Sequence, residues 1–356
     1  MIILSIETSC DDTCVALIEA NEQKRSRIKV LSNLVSSQVK IHQKYGGVYP
    51  FLAKRAHQKN LPFLFKKAKK QAKNPNIDLI AVTTGPGLEP CLWVGVNFAK
   101  DLAKELKLPI LPINHIEAHI FTDWAISSVK HQTLDKIFPA IYLIVSGGHT
   151  QLILIRDFGE YKILGETRDD AAGECFDKIG RMLGLNYPGG PAIEKQAAKI
   201  QNIKDKMQIS LPRPMMHQKN YDFSFSGLKT AALYNYKSQK PEVRKSKEYI
   251  QAMCAETQQA IIDVLLHKTL RAVRDYRVKT IILGGGVTAN KALRKQFKGR
   301  IKRQLPNIKC LLPDTEYSTD NALMVAITAY HYWLRGTKRN WKQVSVNANL
   351  SIEHEI

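Results

Sequence analysis

The chain contains the same order of secondary-structure elements twice. Residues 2–18 predict two apolar strands joined by a polar turn, and residues 140–155 predict a second hairpin of the same kind. Each hairpin is followed by a buried strand that ends in glycines before a helix, at 78–105 and again at 279–298. A repeated hairpin followed by a glycine-ended strand predicts a duplicated α/β fold with a ligand cleft between two lobes.

That layout resembles the two-lobed fold shared by actin-like proteins, sugar kinases and heat-shock chaperone ATPases, which is of the ribonuclease H-like type. The expected N-terminal lobe comprises residues 1–135 and is joined by a C-terminal helix over 320–356. The expected C-terminal lobe comprises residues 136–319 and carries the glycine-rich nucleotide-binding turns. Residues 201–221, rich in Lys, Pro, Met and Asn, predict a loop.

The charge balance indicates a polyanionic partner. The chain has 53 basic and 32 acidic residues, a net charge of +21, which favours nucleic acid first and an anionic membrane surface second. Some organisms make basic proteins in general, so charge alone does not decide the matter. No apolar run reaches membrane-spanning length, and the 6 cysteines form no C-x-x-C pair. We therefore expect a cytoplasmic protein with reduced cysteines and no membrane association.

Two histidines four residues apart, His115 and His119, predict a metal site. On a helix they lie on one face, so both imidazoles can reach one cation, with a third ligand from elsewhere. Paired histidines at this spacing can also be ordinary core or surface residues. The zinc peptidase motif H-E-x-x-H places glutamate beside the first histidine, whereas Glu117 stands two positions along. A metallopeptidase is therefore the weaker interpretation.

Motifs in family order along nearly the whole chain resemble the TsaD family of tRNA N6-adenosine threonylcarbamoyltransferases. They are S-I-E-T-S-C-D-D-T at 5–13, Y-G-G-V at 45–48, H-I-E-A-H at 115–119, V-S-G-G-H-T at 145–150, G-E-C-F-D-K at 173–178, Y-P-G-G-P at 187–191, F-S-F-S-G-L-K at 223–229, the glycine turn at 284–290 and T-D-N-A at 319–322.

The resemblance implies transfer of a threonylcarbamoyl group from threonylcarbamoyl-AMP to N6 of adenosine 37, in tRNAs that read codons beginning with A. It also implies one divalent metal per chain, held by His115, His119 and Asp320, with Fe(II) favoured and zinc as the alternative. Asp320 could instead cap the helix that follows it. Because no Ser or Cys nucleophile with a paired base is evident, we expect direct transfer without a covalent enzyme intermediate.

The family's nucleotide contacts, carried over by motif, fall on nine residues: Val145, Ser146, Gly147, Gly148, His149, Asp177, Gly190, Glu194 and Asn290. Acidic side chains suit ribose hydroxyls, and glycines allow close backbone approach. Structural roles compete with these. Asp177 could cap or pair locally, Gly190 could serve only a turn, Glu194 could be solvated, and Asn290 could merely cap a helix.

Two features bear on the branch of the family. Ile144 and His149 match the bacterial type, whose members work with an inactive paralogue (TsaB) and a small ATPase (TsaE), so tRNA and both proteins are the expected partners. The family pattern Pro-Glu-x-Ala-Ser-Arg-x-His is altered, with Phe51 in place of Glu and Lys54 in place of Ser. The remaining alternatives are an inactive nucleotide-binding scaffold and a kinase of the same fold. Retention of both histidines and Asp320 disfavours the scaffold, and no catalytic aspartate with a sugar pocket is identifiable for the kinase.

Overall fold

The computed structural model describes residues 1–21, 28–126, 137–202, 207–312, 319–337 and 340–353. The chain divides into two compact units, one formed by Met1–Gln132 with Glu316–Ile356 and the other by Thr133–Thr315. The boundary predicted between residues 135 and 136 lies outside the described residues.

Ten strands and eleven α-helices are present in the described ranges. The strands are β1 (Ile2–Glu7), β2 (Asp12–Ala20), β3 (Ile28–Ser37), β4 (Leu79–Gly85), β5 (Ile110–Asn114), β6 (Ala140–Val145), β7 (Thr150–Asp157), β8 (Glu160–Glu166), β9 (Thr280–Gly284) and β10 (Lys309–Leu311). The helices are α1 (Val39–His42), α2 (Pro50–Gln71), α3 (Glu89–Leu106), α4 (His115–Ile126), α5 (Ala172–Met182), α6 (Gly189–Ala197), α7 (Ser226–Ser238), α8 (Pro241–Arg244), α9 (Lys247–Tyr276), α10 (Lys291–Gln304) and α11 (Ala322–Leu334).

The two sheets have the same connectivity. The first unit has the order β3-β2-β1-β4-β5, and the second has β8-β7-β6-β9-β10. In each sheet the first three strands of this order pair antiparallel, and the last two run parallel to the third. In the hairpins Glu7 lies opposite Cys14, and Val145 opposite Thr150. The duplicated α/β fold predicted from the repeated element order is therefore confirmed.

The first sheet is covered on both faces, which explains its long apolar strands. On one face Leu4 and Ile6 of β1 share a core with Leu61 of α2 and Val96 of α3. On the other face Ser5 donates a 2.6 Å hydrogen bond from Oγ to the carbonyl of Ala322, at the start of α11. This contact between β1 and α11 brings the two ends of the chain together within one unit.

The helix predicted over 320–356 is shorter than expected, because α11 ends at Leu334. Gly336 follows in the left-handed region at φ 79°. Its amide donates to the carbonyl of Trp333, and the amide of Thr337 donates to that of Tyr332. This pair of hydrogen bonds is the glycine-dependent Schellman stop, which satisfies the last carbonyls and turns the chain away from the helix axis.

The loop predicted over 201–221 contains no helix or strand between residues 207 and 221, and its residues 203–206 lie outside the described ranges. None of the described helices combines the length and apolar character that a membrane span requires.

Candidate metal centre and nucleotide-binding turns

The two histidines lie at the start of α4, directly after β5. Asn114 ends the strand, and its Oδ1 accepts hydrogen bonds from the amides of Ile116 and Glu117 at 2.9 and 3.3 Å. A short polar side chain in this position satisfies orphan donors of a helix N-terminus, so the helix can begin at His115. Both imidazoles are buried, and their ring centroids are 4.7 Å apart. The predicted helical i,i+4 pair is thus present.

Asp320 approaches this pair from the segment before α11. Its Oδ1 lies 3.2 Å from Nε2 of His119 and 3.6 Å from Nε2 of His115. The cap of α11 is Asn321, whose Oδ1 accepts from the amide of Met324 at 3.2 Å. Because Asn321 takes the capping role that Asp320 could have had, the Asp320 carboxylate is directed to the histidines.

The three side chains fit a metal ion. Their ligand atoms all lie within 4.8 Å of one another, and they form the one such group found among the described residues. Two ligand atoms each about 2.1 Å from a tetrahedral ion are about 3.4 Å apart, close to the two measured separations. Two imidazoles and one carboxylate can bind iron(II) or zinc and leave further coordination positions for water or substrate.

Behind His115 lies a buried carboxylate, Glu7, at the end of β1. Its Oε2 is 3.0 Å from Nδ1 of His115 and accepts a 2.6 Å hydrogen bond from the Thr83 hydroxyl. Its Oε1 accepts from the amide of Ser9. A carboxylate that accepts from one ring nitrogen leaves the other, here Nε2, as the metal-binding atom and fixes the ring plane.

The electrostatics of this cluster suit a cation. Burial opposes a charge on His115, yet the carboxylates of Glu7 and Asp320 raise its pKa to about 9. Burial would raise the pKa of Glu7, but His115 outweighs it and holds that pKa below its usual value. Burial, then the negative charge of Asp320, raise the pKa of Asp12 to about 7. A divalent cation would relieve this crowding of carboxylates and displace the proton from His115.

Glu117 is directed to a different partner. Its carboxylate accepts from the hydroxyl of Tyr332 on α11, at 2.8 Å to Oε2. Glu117 is therefore not placed as the general base that the peptidase interpretation would need beside the two histidines.

In the second unit, the turn between β6 and β7 presents two glycines to open space. The amide of Ser146 donates to the carbonyl of His149, and the amide of His149 donates to Oγ of Ser146. Among the described residues, the amides of Gly147 and Gly148 have no hydrogen-bond partner, and a Cβ at either position would meet nothing within 4 Å. These two exposed amides form a small concave donor site for an anion.

Helix α5 packs against this turn through Gly173, and α6 packs against α5 through Gly189. A Cβ on Gly173 would lie 2.5 Å from the carbonyl oxygen of Ser146, and one on Gly189 would lie 2.5 Å from that of Phe176. Asp177 accepts a 2.6 Å hydrogen bond from the amide of Gly189, so it holds the start of α6. Gly190 follows with open space at its Cβ position. The local role considered for Asp177 is thus present.

The glycine turn after β9 completes the group. Gly285, at φ 85°, has its Cβ position 2.5 Å from the carbonyl oxygen of Val145, so only glycine fits there. Asn290 caps α10, accepting from the amide of Leu293 at 2.9 Å. Glu194 of α6 accepts from the amide of Lys291 at 2.7 Å. All nine predicted nucleotide residues thus lie in the second unit, at the end of β6 and on the turn after it, within α5 and α6 and just before α10. Asn290 and Glu194 already accept hydrogen bonds from the first turn of α10.

Sequence reasoning missed the residues that orient His115. Glu7, Ser9 and Thr83 belong to motifs recognised in the sequence or to the strand next to them, but none was singled out as part of the metal centre. The sequence did contain one signal for Glu7, which is a charged residue at the end of an otherwise apolar buried strand. A buried carboxylate requires hydrogen-bond or charged partners, so Glu7 could have been assigned to a polar site.

Comparisons with known proteins agree with this description. Residues 29–327 match the family model TsaD, tRNA N6-adenosine threonylcarbamoyltransferase. Proteins of that name are 46% identical over 94% of this chain and 96% of the relative in Thermosipho africanus, and 42% identical over 99% and 97% in Syntrophomonas wolfei.

Solved structures support the fold independently. HypF of T. kodakarensis superposes with a TM-score of 0.60 at 13% identity, covering 94% of this chain. A full-length HypF in a phosphate- and nucleotide-bound form gives a TM-score of 0.57 at 12% identity, covering 93%. The chain spans 48% and 46% of those longer proteins, so the likeness shows the shared actin-like, ribonuclease H-like fold alone. From the match over 29–327 and the near full-length relatives, the chain belongs to the TsaD family of tRNA N6-adenosine threonylcarbamoyltransferases.

Proposed function

We propose that this chain transfers the threonylcarbamoyl group of threonylcarbamoyl-AMP to N6 of adenosine 37 in tRNAs that read codons beginning with A, releasing AMP. The observation that carries the proposal is the buried cluster of His115, His119 and Asp320, in a chain that belongs to this family. The net charge of +21 suits a tRNA substrate.

His115, His119 and Asp320 would hold one divalent metal, with Fe(II) favoured and zinc as the alternative. When bound, the metal would supply Lewis-acid polarisation to a reaction whose nucleophile, an exocyclic adenine amine, is weak. Glu7 would hold the His115 ring in place by accepting a hydrogen bond from its Nδ1.

The donor's phosphate would lie against the amides of Gly147 and Gly148. Both amides are exposed and lack a partner among the described residues, and neither glycine has a neighbour that crowds its Cβ position. Fixed backbone dipoles at such a turn stabilise the charge that develops on a leaving phosphate, with little reorganisation. Val145, Ser146 and His149 would shape this turn.

The other nucleotide residues would act beside the turn. Asp177 of α5 accepts from the amide of Gly189, the first residue of α6, and Gly190 is the second. An acidic side chain next to an uncrowded backbone suits a ribose. Asn290 and Glu194 would contribute by holding the first turn of α10 as well as by any contact with the nucleotide.

Direct transfer is the favoured route, because the candidate nucleophiles are poorly activated. Burial raises the pKa of Cys91 to about 12 and that of Cys254 to about 12, which keeps both thiols protonated. Ser9 Oγ lies 3.2 Å from Nδ1 of His115, but that nitrogen also faces Glu7 at 3.0 Å. An Nδ1 proton held by Glu7 leaves no base for the Ser9 hydroxyl.

The protein would work in the cytoplasm, where its tRNA substrate is found, and with the two partners expected for the bacterial branch, TsaB and TsaE. These expectations rest on family membership.

Nucleoside mass spectrometry tests the proposal. Unmodified tRNA would be incubated with threonylcarbamoyl-AMP, this protein and the two partner proteins, in parallel with reactions that omit this protein or contain a chelator. We expect threonylcarbamoyladenosine only when the protein and its metal are both present. Absence of the product, with the same partners active beside another family member, would overturn the proposal.

A further inference from the structure

A long segment of the first unit contains no acidic residue. Between Gln23 and Ile77 there are 14 Lys and Arg residues and neither Asp nor Glu. At the chain's average frequency, about five acidic residues would be expected in a stretch of this length. The segment contributes β3, α1 and α2 to the first unit. Its one-sided charge marks it as the part of this unit best suited to a polyanion.

Where α2 begins, this segment exposes three aromatic side chains. Tyr45 is 54% exposed, Tyr49 is 49% exposed and Phe51 is 69% exposed. The rings of Tyr45 and Tyr49 are stacked, with centroids 5.6 Å apart and planes inclined by 29°. We call these three residues the aromatic patch. Phe51 follows Tyr49 by two residues, and a group of exposed apolar side chains that lie together marks a candidate interaction surface.

Cations surround the aromatic patch in the sequence and are available to a ligand. Lys44 and Arg55 are exposed and Lys54 is half-buried. Within the described parts of the chain, none of the three forms an ion pair, whereas Lys29 of the same segment pairs with Glu19. Free cations beside stacked rings suit a ligand that carries both phosphates and flat apolar groups.

The patch is connected to the metal centre by a short path of contacts. Pro50, between Tyr49 and Phe51, has its carbonyl 3.9 Å from Sγ of Cys91. The carbonyl of Cys91 accepts a 3.0 Å hydrogen bond from the hydroxyl of Thr8. Thr8 precedes Ser9, whose Oγ lies 3.2 Å from His115. The start of α2 is therefore a neighbour of the turn that supports the metal ligands.

We propose that the aromatic patch stacks on unpaired bases of the tRNA that flank the adenosine to be modified, while Lys44, Lys54 and Arg55 contact the adjacent phosphates. This inference rests on the proposed function and names the surface that receives its substrate. Sequence-tolerant binding of single-stranded RNA combines base stacking on aromatic rings with a basic track for the backbone.

Single-stranded RNA fits this surface better than an anionic membrane. An anionic membrane would bind the cations and any exposed apolar side chain, wherever it lies on the surface. Phe63 is such a side chain, since it is 66% exposed farther along α2, between Pro62 and Leu64. Stacking of bases needs rings close to the reacting adenosine. Phe63 lies twelve residues beyond Phe51, about 18 Å along the helix, and so provides a matched control.

Binding would be measured by fluorescence anisotropy with the full chain and two RNA probes. One is a labelled hairpin whose stem closes a loop of about seven unpaired nucleotides, and the other is a fully paired duplex with the same number of phosphates. We expect Phe51→Ala and Tyr49→Ala each to weaken hairpin binding about tenfold and to leave duplex binding unchanged. Phe51→Tyr should retain affinity, and Phe63→Ala should behave as the parent protein.

The phosphate contacts have a separate measurement. Lys54→Gln should reduce the slope of log affinity against log salt by about 0.7 for the hairpin, the value for one phosphate contact on a single strand. Thermal melting would confirm that each variant is folded, which is expected because the substituted side chains are largely at the surface.

The proposal is overturned if Phe51→Ala and Tyr49→Ala leave hairpin affinity unchanged, or if Phe63→Ala weakens it equally. It is also overturned if the substitutions reduce binding to phosphatidylserine vesicles while RNA binding is unaffected. These outcomes are independent of the proposed function, because binding is measured without donor and without turnover. If the substitutions weaken hairpin binding but the parent protein forms no threonylcarbamoyladenosine, the binding surface is supported and the proposed reaction is rejected.

Discussion

The Oε2 atom of Glu7 lies 3.0 Å from Nδ1 of His115, and both side chains are buried. On the other side of the same ring, Nε2 of His115 is 3.6 Å from Asp320. One imidazole thus stands between a carboxylate that orients it and a carboxylate that would share its metal. The contact joins the end of β1 to the start of α4, so the first of the two hairpins contributes directly to the candidate metal centre.

Glu7→Gln should weaken metal binding about 10- to 100-fold, because an amide cannot accept the Nδ1 proton as strongly as a carboxylate does. The measurement is metal content after titration with a competing chelator. Glu117→Gln is the matched control, since Glu117 is equally buried but bonded to Tyr332. Equal affinities for the two variants would contradict the positioning role of Glu7.

His119→Ala should remove the metal and the modification activity while the protein stays folded. Two remaining ligands bind a divalent ion poorly, and a buried histidine-to-alanine change alone does not dismantle a fold of this size. Metal analysis and nucleoside mass spectrometry would be run beside His217→Ala, which removes an exposed histidine of the second unit. Normal modification by metal-free His119→Ala protein would rule out the proposed role of the metal.

Gly285→Ala should destabilise the second unit by about 1–3 kcal/mol or more, because a side chain is strained at φ 85° and its Cβ would lie 2.5 Å from the carbonyl oxygen of Val145. Gly286→Ala is the control, since nothing lies within 4 Å of its Cβ position. Its effect should stay within about 0.5 kcal/mol. Thermal and urea unfolding would give the loss of stability for both variants. Similar losses would contradict the claim that the close approach of Gly285 to Val145 excludes a side chain.

Because of Lys268, we expect the free energy of unfolding to depend on pH in the alkaline range. Its side chain is fully buried, and burial lowers its pKa from 10.5 to about 8. The unfolded chain therefore binds more protons between pH 8 and 10.5, so the destabilisation by Lys268 is complete below pH 8 and disappears as the pH rises through that window.

Lys268→Met should accordingly increase the free energy of unfolding at pH 7, and the gain should shrink toward pH 10.5. The carbonyl of Asn220, which accepts from Nζ of Lys268, also accepts from Arg271 and stays satisfied. Urea titrations at several pH values, with exposed Lys219→Met as the control, measure the difference. A gain in the free energy of unfolding that does not change with pH would contradict the lowered pKa assigned to Lys268.

The sequence predicted the fold through its strands. The apolar runs of β1 and β6, the polar turns after them and the glycine-ended strands β4 and β9 were all located from local patterns, because hairpins and strand–glycine–helix turns are formed by residues adjacent in the chain. The length of the last helix was wrong, because the stop depends on Gly336 adopting φ 79° and on two specific backbone hydrogen bonds. The sequence carried one sign of this stop, because Gly336 follows the last apolar residues of α11 and is itself followed by Thr-Lys-Arg-Asn.

The sequence by itself determined the duplicated α/β arrangement, the pair of histidines on one helix face and the family of the chain. Only the tertiary structure decided that Asn321 caps α11 while Asp320 faces the histidines, that Glu7 orients His115, and that Glu194 and Asn290 support α10. Helical spacing is a local property that a sequence records. Contacts between Glu7, His115 and Asp320 join residues more than 100 positions apart, and they exist only because the sheet and α11 bring those positions together.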